Sequence, residues 1–206
     1  MSQLIMLSSL DASIDQHLAD HMKRMISKKG TKLGYVPSQY DETKYYFNKM
    51  RPHLERLGFE EFIYVDIDQA FEQKYVKSLE TCDAIFLSGG NTYYFLNNLK
   101  NRGLISVLQR FVQNGGLLIG VSAGAMMMSH TIEIAANLDP NDIALKDLDA
   151  LNFIPFHFLP HYDEEKHDIR KIVSELGAPV YTCKDGAGII LSHDTKLTTY
   201  GEIEKW

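Results

Sequence analysis

The sequence predicts an α/β protein, a single three-layer domain over residues 1–206 built on a mainly parallel central sheet. Two observations carry that expectation. Short apolar runs alternate with segments of helical period from Leu4 to Val121, the order that builds βαβ units. Glycine-bearing turns follow two of those runs directly, at Gly89-Gly90 and at Gly120 to Gly124. Right-handed crossovers gather such turns along one edge of a parallel sheet, where open α/β folds bind ligands.

The strand candidates are Leu4–Leu7, Leu33–Val36, Phe62–Ile67, Ala84–Leu87 and Leu117–Val121, each too short for a helix and apolar enough for a buried strand. Between them, helical period runs over Asp15 to Ser27, Glu42 to Leu57, Gln69 to Ser78, and Thr92 to Gln113 with a break near Gly103. Beyond Ser129 the pattern loosens. Asp139-Pro140-Asn141-Asp142 is a turn cluster, Leu148–Leu159 a mostly apolar run, and Asp163 to Leu176 a helix opening on the charged turn Asp163-Glu164-Glu165. From Val180 to Tyr200 short strands alternate with turns at Lys184-Asp185-Gly186 and Ser192-His193-Asp194, which predicts antiparallel hairpins at the sheet edge. No internal repeat is present.

With 45% hydrophobic and 23% charged residues, the chain has the composition of an ordinary globular domain. A net charge of −6 argues against a nucleic-acid or anionic-membrane surface. Met1-Ser2-Gln3 lacks the basic start of a signal peptide, and no apolar stretch reaches the ~18 residues of a membrane span. A cytoplasmic protein with Cys82 and Cys183 reduced is expected.

Gly120-Val121-Ser122-Ala123-Gly124 is the most informative motif. It follows a strand candidate and enters the helix formers Ala125-Met126-Met127-Met128, so Ser122 is expected at a sharp strand-to-helix turn with an unusual φ. Small flanking residues permit the turn, and the N–H groups at the helix start can hold an oxyanion. A serine nucleophile needs a base, usually a histidine oriented by a carboxylate. His17, His21 and His53 fall among charged helix positions and read as solvated. His130 lies on the helix leaving Ser122, His193 in a turn, and His167 at a charged helix start. His157 and His161 remain, two positions of one face if Phe156 to Tyr162 is extended. His161 stands where the run turns polar, as at a strand end, whereas His157 lies between phenylalanines and suits a core; pattern favours His161 and leaves both open. The Ser88-Gly89-Gly90-Asn91-Thr92 loop lets backbone N–H groups approach a ligand, or is an ordinary turn capped by Asn91. No zinc spacing is present, and no metal or cofactor is expected.

Together, Ser88-Gly89-Gly90-Asn91-Thr92, Gly120 to Ala125, Leu159-Pro160-His161-Tyr162 and Asp185-Gly186 resemble peptidase family S51, which contains peptidase E and cyanophycinase. The resemblance implies a fold like the class I glutamine amidotransferases, with Ser122 as nucleophile and His161 as base. It also implies an oxyanion hole from the N–H groups of Gly90 and Ala123, substrate contacts at Gly89 and Asn91, and Asp185 as the acid. A second acidic position associated with peptidase E falls near Asn137 and Asp139. The family's substrate arginine, which would give a preference for acidic residues, has Arg170 as its one counterpart, preceded by an acidic run that opposes a carboxylate. The chain order Ser, His, Asp differs from that of α/β-hydrolases.

The function expected is a serine peptidase, of dipeptidase type, acting on small peptides through an acyl-enzyme. An esterase or amidase on the same site, or a non-catalytic small-ligand binding domain, are the alternatives. The expected partner is a small peptide, with no nucleic acid and no membrane; a homodimer is compatible with the sequence.

Overall fold

The computed structural model describes residues 3–11, 13–192 and 196–206. His193 and Asp194 of the expected last turn lie outside the described residues.

Five parallel strands form the centre: β1 (Gln3–Leu7), β2 (Lys32–Val36), β3 (Glu61–Tyr64), β4 (Ala84–Leu87) and β5 (Leu117–Val121). With β8 (Gly188–Leu191) and β9 (Leu197–Tyr200) they make a seven-stranded sheet of order β3-β2-β4-β5-β1-β8-β9. The last two strands run antiparallel, so this hairpin does lie at the sheet edge. β7 (Val180–Cys183) departs from expectation. It leaves the main sheet and pairs with β6 (His157–Leu159) and β10 (Ile203–Lys205) in a second, three-stranded sheet.

Alternation along each strand divides the core. Ile5, Leu7, Tyr35, Phe86 and Ile119 face one side and pack on α1 (Gln16–Lys29) and α2 (Tyr45–Leu57). Leu4, Met6, Ile85, Leu87 and Leu118 face the other. That side carries α3 (Gln73–Leu79), α4 (Thr92–Asn101), α5 (Leu104–Gln113), α7 (Ile169–Leu176) and the small sheet. The order explains the split. The connections β1 to β2 and β2 to β3 advance in one direction across the sheet, and β3 to β4 and β4 to β5 return in the other. Right-handed crossovers therefore deposit the two sets of helices on opposite faces. The direction reverses between β2 and β4 and between β5 and β1, so crevices open at the carboxyl ends of those strands.

Local side chains shift several boundaries from their expected places. The Asp41 carboxylate accepts from the Thr43 hydroxyl and the Tyr46 N–H, which delays α2 until Tyr45. Asp66 accepts from the N–H groups of Asp68 and Ala70, ending β3 early and holding back α3. Asp163-Glu164-Glu165 is no helical turn. Asp163 pairs with Lys166 at 2.7 Å, and α7 starts only after Asp168, whose carboxylate caps the Lys171 N–H. Both cysteines are free and buried, and burial pushes their thiols up, to about 11 at Cys82 and about 12 at Cys183. Among the described residues no helix is long and apolar enough to cross a membrane.

Candidate active site

The turn after β5 is sharp. Ser122 has φ 52° and ψ −114°, the unusual conformation its motif predicts. The helix behind it, α6 (Ala123–Met126), is shorter than the sequence suggested; His130 lies beyond its end and is exposed. Both glycines of the motif answer to close approaches. A Cβ on Gly120 would lie 2.3 Å from the Gly124 carbonyl oxygen, and one on Gly124 would lie 2.2 Å from the Leu87 carbonyl oxygen of β4. Backbone cannot swing aside as a side chain can. Gly124→Ala is therefore expected to cost about 3 kcal/mol and to lower Tm by roughly 6–12 °C, measured by calorimetry.

His161 and Asp185 come together through strand pairing. β6 and β7 are parallel, with Leu159 opposite Thr182, so the residues just past their ends emerge side by side. The Tyr162 N–H donates to the Cys183 carbonyl and keeps them there. His161 Nδ1 lies 2.6 Å from Asp185 Oδ1, and Nε2 lies 2.9 Å from Ser122 Oγ. A carboxylate can only accept, so this row fixes the proton on Nδ1 and leaves the Nε2 lone pair facing the serine hydroxyl. The row is open: 42% of the His161 side chain and 57% of the Asp185 side chain are exposed.

Sequence reasoning missed Ser8. It is fully buried, its hydroxyl donates to Asp185 Oδ1 at 2.9 Å, and its oxygen accepts the His161 N–H at 2.8 Å. His161 has φ 53°, a strained value for a non-glycine residue, and the Ser8 bond helps hold it there. The available signal was position alone, directly after the first strand on the ligand-binding edge. Ser9 adds to the clamp by accepting from the Gly186 N–H, and Gly186 has φ 82° with no room for a Cβ beside the Ser13 carbonyl.

The other candidates separate. Gly89, Gly90 and Asn91 line the cleft beside Ser122. Gly90 has φ 132°, and a Cβ there would lie 2.1 Å from Ser38 Oγ. Asn91 is committed to the fold, since its side chain caps α4 by accepting from the Tyr93 and Tyr94 N–H groups. Ala123 opens α6, so its N–H has no intrahelical acceptor. Arg170 is exposed on α7 and is not among the cleft-lining residues. Asp139 binds the Thr92 N–H and hydroxyl at the start of α4, and Asn137 bonds the Ile134 carbonyl, so neither approaches His161. His157 is buried with no partner for Nδ1 among the described residues; burial lowers its pKa and keeps it neutral in the core. Two histidines read as solvated are half-buried. His21 Nδ1 lies 2.6 Å from the Tyr200 hydroxyl, and His53 lines the cleft.

A strained serine at a strand-to-helix turn, in line with a histidine and a carboxylate, has the geometry that acyl transfer requires. The sequence pattern of Peptidase family S51 matches residues 4–199, and the chain belongs to that family of peptidases. An uncharacterized peptidase of Pasteurella multocida, PM1590, is 29% identical over 174 residues, covering 80% of this chain and 83% of its own. Peptidase E of Escherichia coli is 34% identical over 90 residues, 42% of this chain and 37% of that one. Among solved structures, a protein from Listeria monocytogenes EGD-e named as a candidate peptidase E superposes with a TM-score of 0.77 at 26% identity. The match covers 100% of this chain and 98% of that one.

Proposed function

We propose that this peptidase is serine-dependent and cleaves amide bonds of small peptides through an acyl-enzyme on Ser122. The observation that carries the reading is the unbroken row from Ser122 Oγ through the His161 ring to Asp185 Oδ1. Ser122 Oγ attacks the carbonyl carbon while His161 Nε2 takes its proton. The developing oxyanion is held by the N–H groups of Gly90 and Ala123. The tetrahedral intermediate collapses as the C–N bond breaks, and Nε2 gives its proton to the departing amine. Water then attacks the ester, again through Nε2, and Ser122 recovers its proton as the acid product leaves. Asp185 stays ionised throughout, orienting the ring and stabilising the imidazolium.

A fluorophosphonate probe tests the reading, with peptide mapping of the adduct and a dipeptide panel run alongside simple esters. Labelling at Ser122 with dipeptide turnover supports it. Hydrolysis of esters alone would make the protein an esterase, and no labelling with no turnover would leave a binding domain.

Ser8 supplies a further expectation. Ser8→Ala removes a hydrogen bond to a charged group, so kcat should fall about 10–100-fold while KM moves less than about 2-fold. An equal rise in KM would assign Ser8 to substrate binding instead.

A further inference from the structure

Resting on the serine-peptidase reading, we infer that the cleft beside Ser122 receives a large apolar or aromatic side chain on the acyl side of the scissile bond. The cleft holds about 640 Å³, within the range of small-ligand sites. Its inner wall is a set of aromatic rings in mutual contact, of which Tyr35, Phe47 and Phe86 are buried beneath the partly exposed Tyr64. Tyr35 stacks on Phe86 at 5.2 Å and on Tyr64 at 5.7 Å between ring centroids, and Phe47 meets Tyr35 edge-on at 4.9 Å. Met50 lines it as well, and Tyr46, 71% exposed, stands at its mouth.

Direction follows from the chemistry. The leaving amine takes its proton from His161 Nε2 and must lie toward the histidine. The carbonyl oxygen lies toward Gly90 and Ala123. His161, Ser122, Gly89 and Gly90 line the same cleft as the aromatic set, and a substituent on the acyl half, turned away from the histidine, extends toward the aromatic set.

Its charges do not suit an acidic side chain. Asp11 and Asp41 line the cleft, and each carboxylate already accepts from neighbours: Asp11 from the Ser13 N–H and hydroxyl, Asp41 from Thr43 and the Tyr46 N–H. Lys49 also lines the cleft, but it is exposed and its ammonium lies over the Tyr45 ring, 5.1 Å from the centroid. His53 carries little positive charge at neutral pH, because burial and nearby Arg56 lower its pKa. Among the described residues lining the cleft there is no arginine to clasp a carboxylate in the two-pronged way. A substrate aspartate would lose its hydration between aromatic rings and two standing carboxylates.

Aminoacyl-coumarin amides that share one leaving group test this, with Phe, Leu, Met, Ala and Asp in the acyl position and the full chain as enzyme. The Phe or Leu amide should exceed the Asp amide by about 100-fold in kcat/KM. Met50→Arg, which brings a guanidinium to the cleft, should shrink that ratio at least about tenfold. An Asp amide cleaved as well as or better than the Phe amide overturns the inference, as does a ratio indifferent to Met50→Arg. If no amide is cleaved and Ser122 takes no fluorophosphonate, the serine-peptidase reading falls. The cleft is then judged by calorimetric binding of phenylalaninamide against aspartic acid α-amide. Tighter binding of phenylalaninamide sustains the inference, and equal or tighter binding of the aspartate overturns it.

Discussion

Ser122→Ala removes turnover, with kcat falling by about 10⁶-fold, and leaves Tm within about 2 °C of the parent. The two parts have separate causes. In the proposed mechanism the hydroxyl oxygen is the attacking atom, and no neighbouring group replaces it once it is gone. Folding loses little, because the Ser122 main chain does the structural work. Its N–H donates to the Leu7 carbonyl at 2.9 Å, and its carbonyl accepts from Ala125 and Met126. Alanine keeps all three bonds and the Cβ. Residual hydrolysis of about 10³-fold over water is expected from the oxyanion donors and substrate positioning alone. Kinetics on the best dipeptide with calorimetry of the same preparation measures both parts, and an active alanine variant places the chemistry elsewhere.

Asp185→Asn should lower kcat by about 10⁴-fold in a folded protein. An amide presents an NH₂ group where the carboxylate offered only acceptors, and His161 Nδ1 meets that group best as a lone pair. The ring proton then moves to Nε2, where it faces Ser122 and blocks the transfer the reaction needs. Ser8 bonds the same oxygen as His161, so its hydroxyl turns to accept from the NH₂ group placed there, and the Gly186 N–H to Ser9 bond helps the turn hold its place. Nitrogen chemical shifts of the His161 ring read the tautomer directly. A normal rate with the proton still on Nδ1 removes Asp185 from the proposed mechanism.

The ease of reading the sequence tracked how local each determinant is. β4 and β5 match their apolar runs residue for residue, because a four- or five-residue run between turn signals has little alternative to a buried strand. The Leu148–Leu159 run is apolar for a different reason. Its apolar residues pack against the core, but only His157–Leu159 form a strand, while Asp149 and Ile154 make isolated bridges. Gly-x-Ser-x-Gly was legible because both glycines answer to contacts within the motif or with the strand beside it. The pairing of His161 with Asp185 was not legible from spacing, since it depends on the parallel register of β6 and β7 in a sheet the local pattern did not reveal. Ser8 was hidden more completely. A serine after a strand is ordinary, and its partners lie 153 and 177 positions away.

Those long separations bear on when the protein becomes active. The end of β1 anchors the whole row: Leu7 holds Ser122, while Ser8 holds His161 and Asp185. During synthesis the first strand and the serine leave the ribosome well before the histidine, and the acid follows last. On the proposed mechanism a nascent chain carries its nucleophile without its base, and the base lacks its orienting partner until β7 and the turn beyond it have formed. The long-range contacts that slow folding would, on that mechanism, also delay activity until the row is complete.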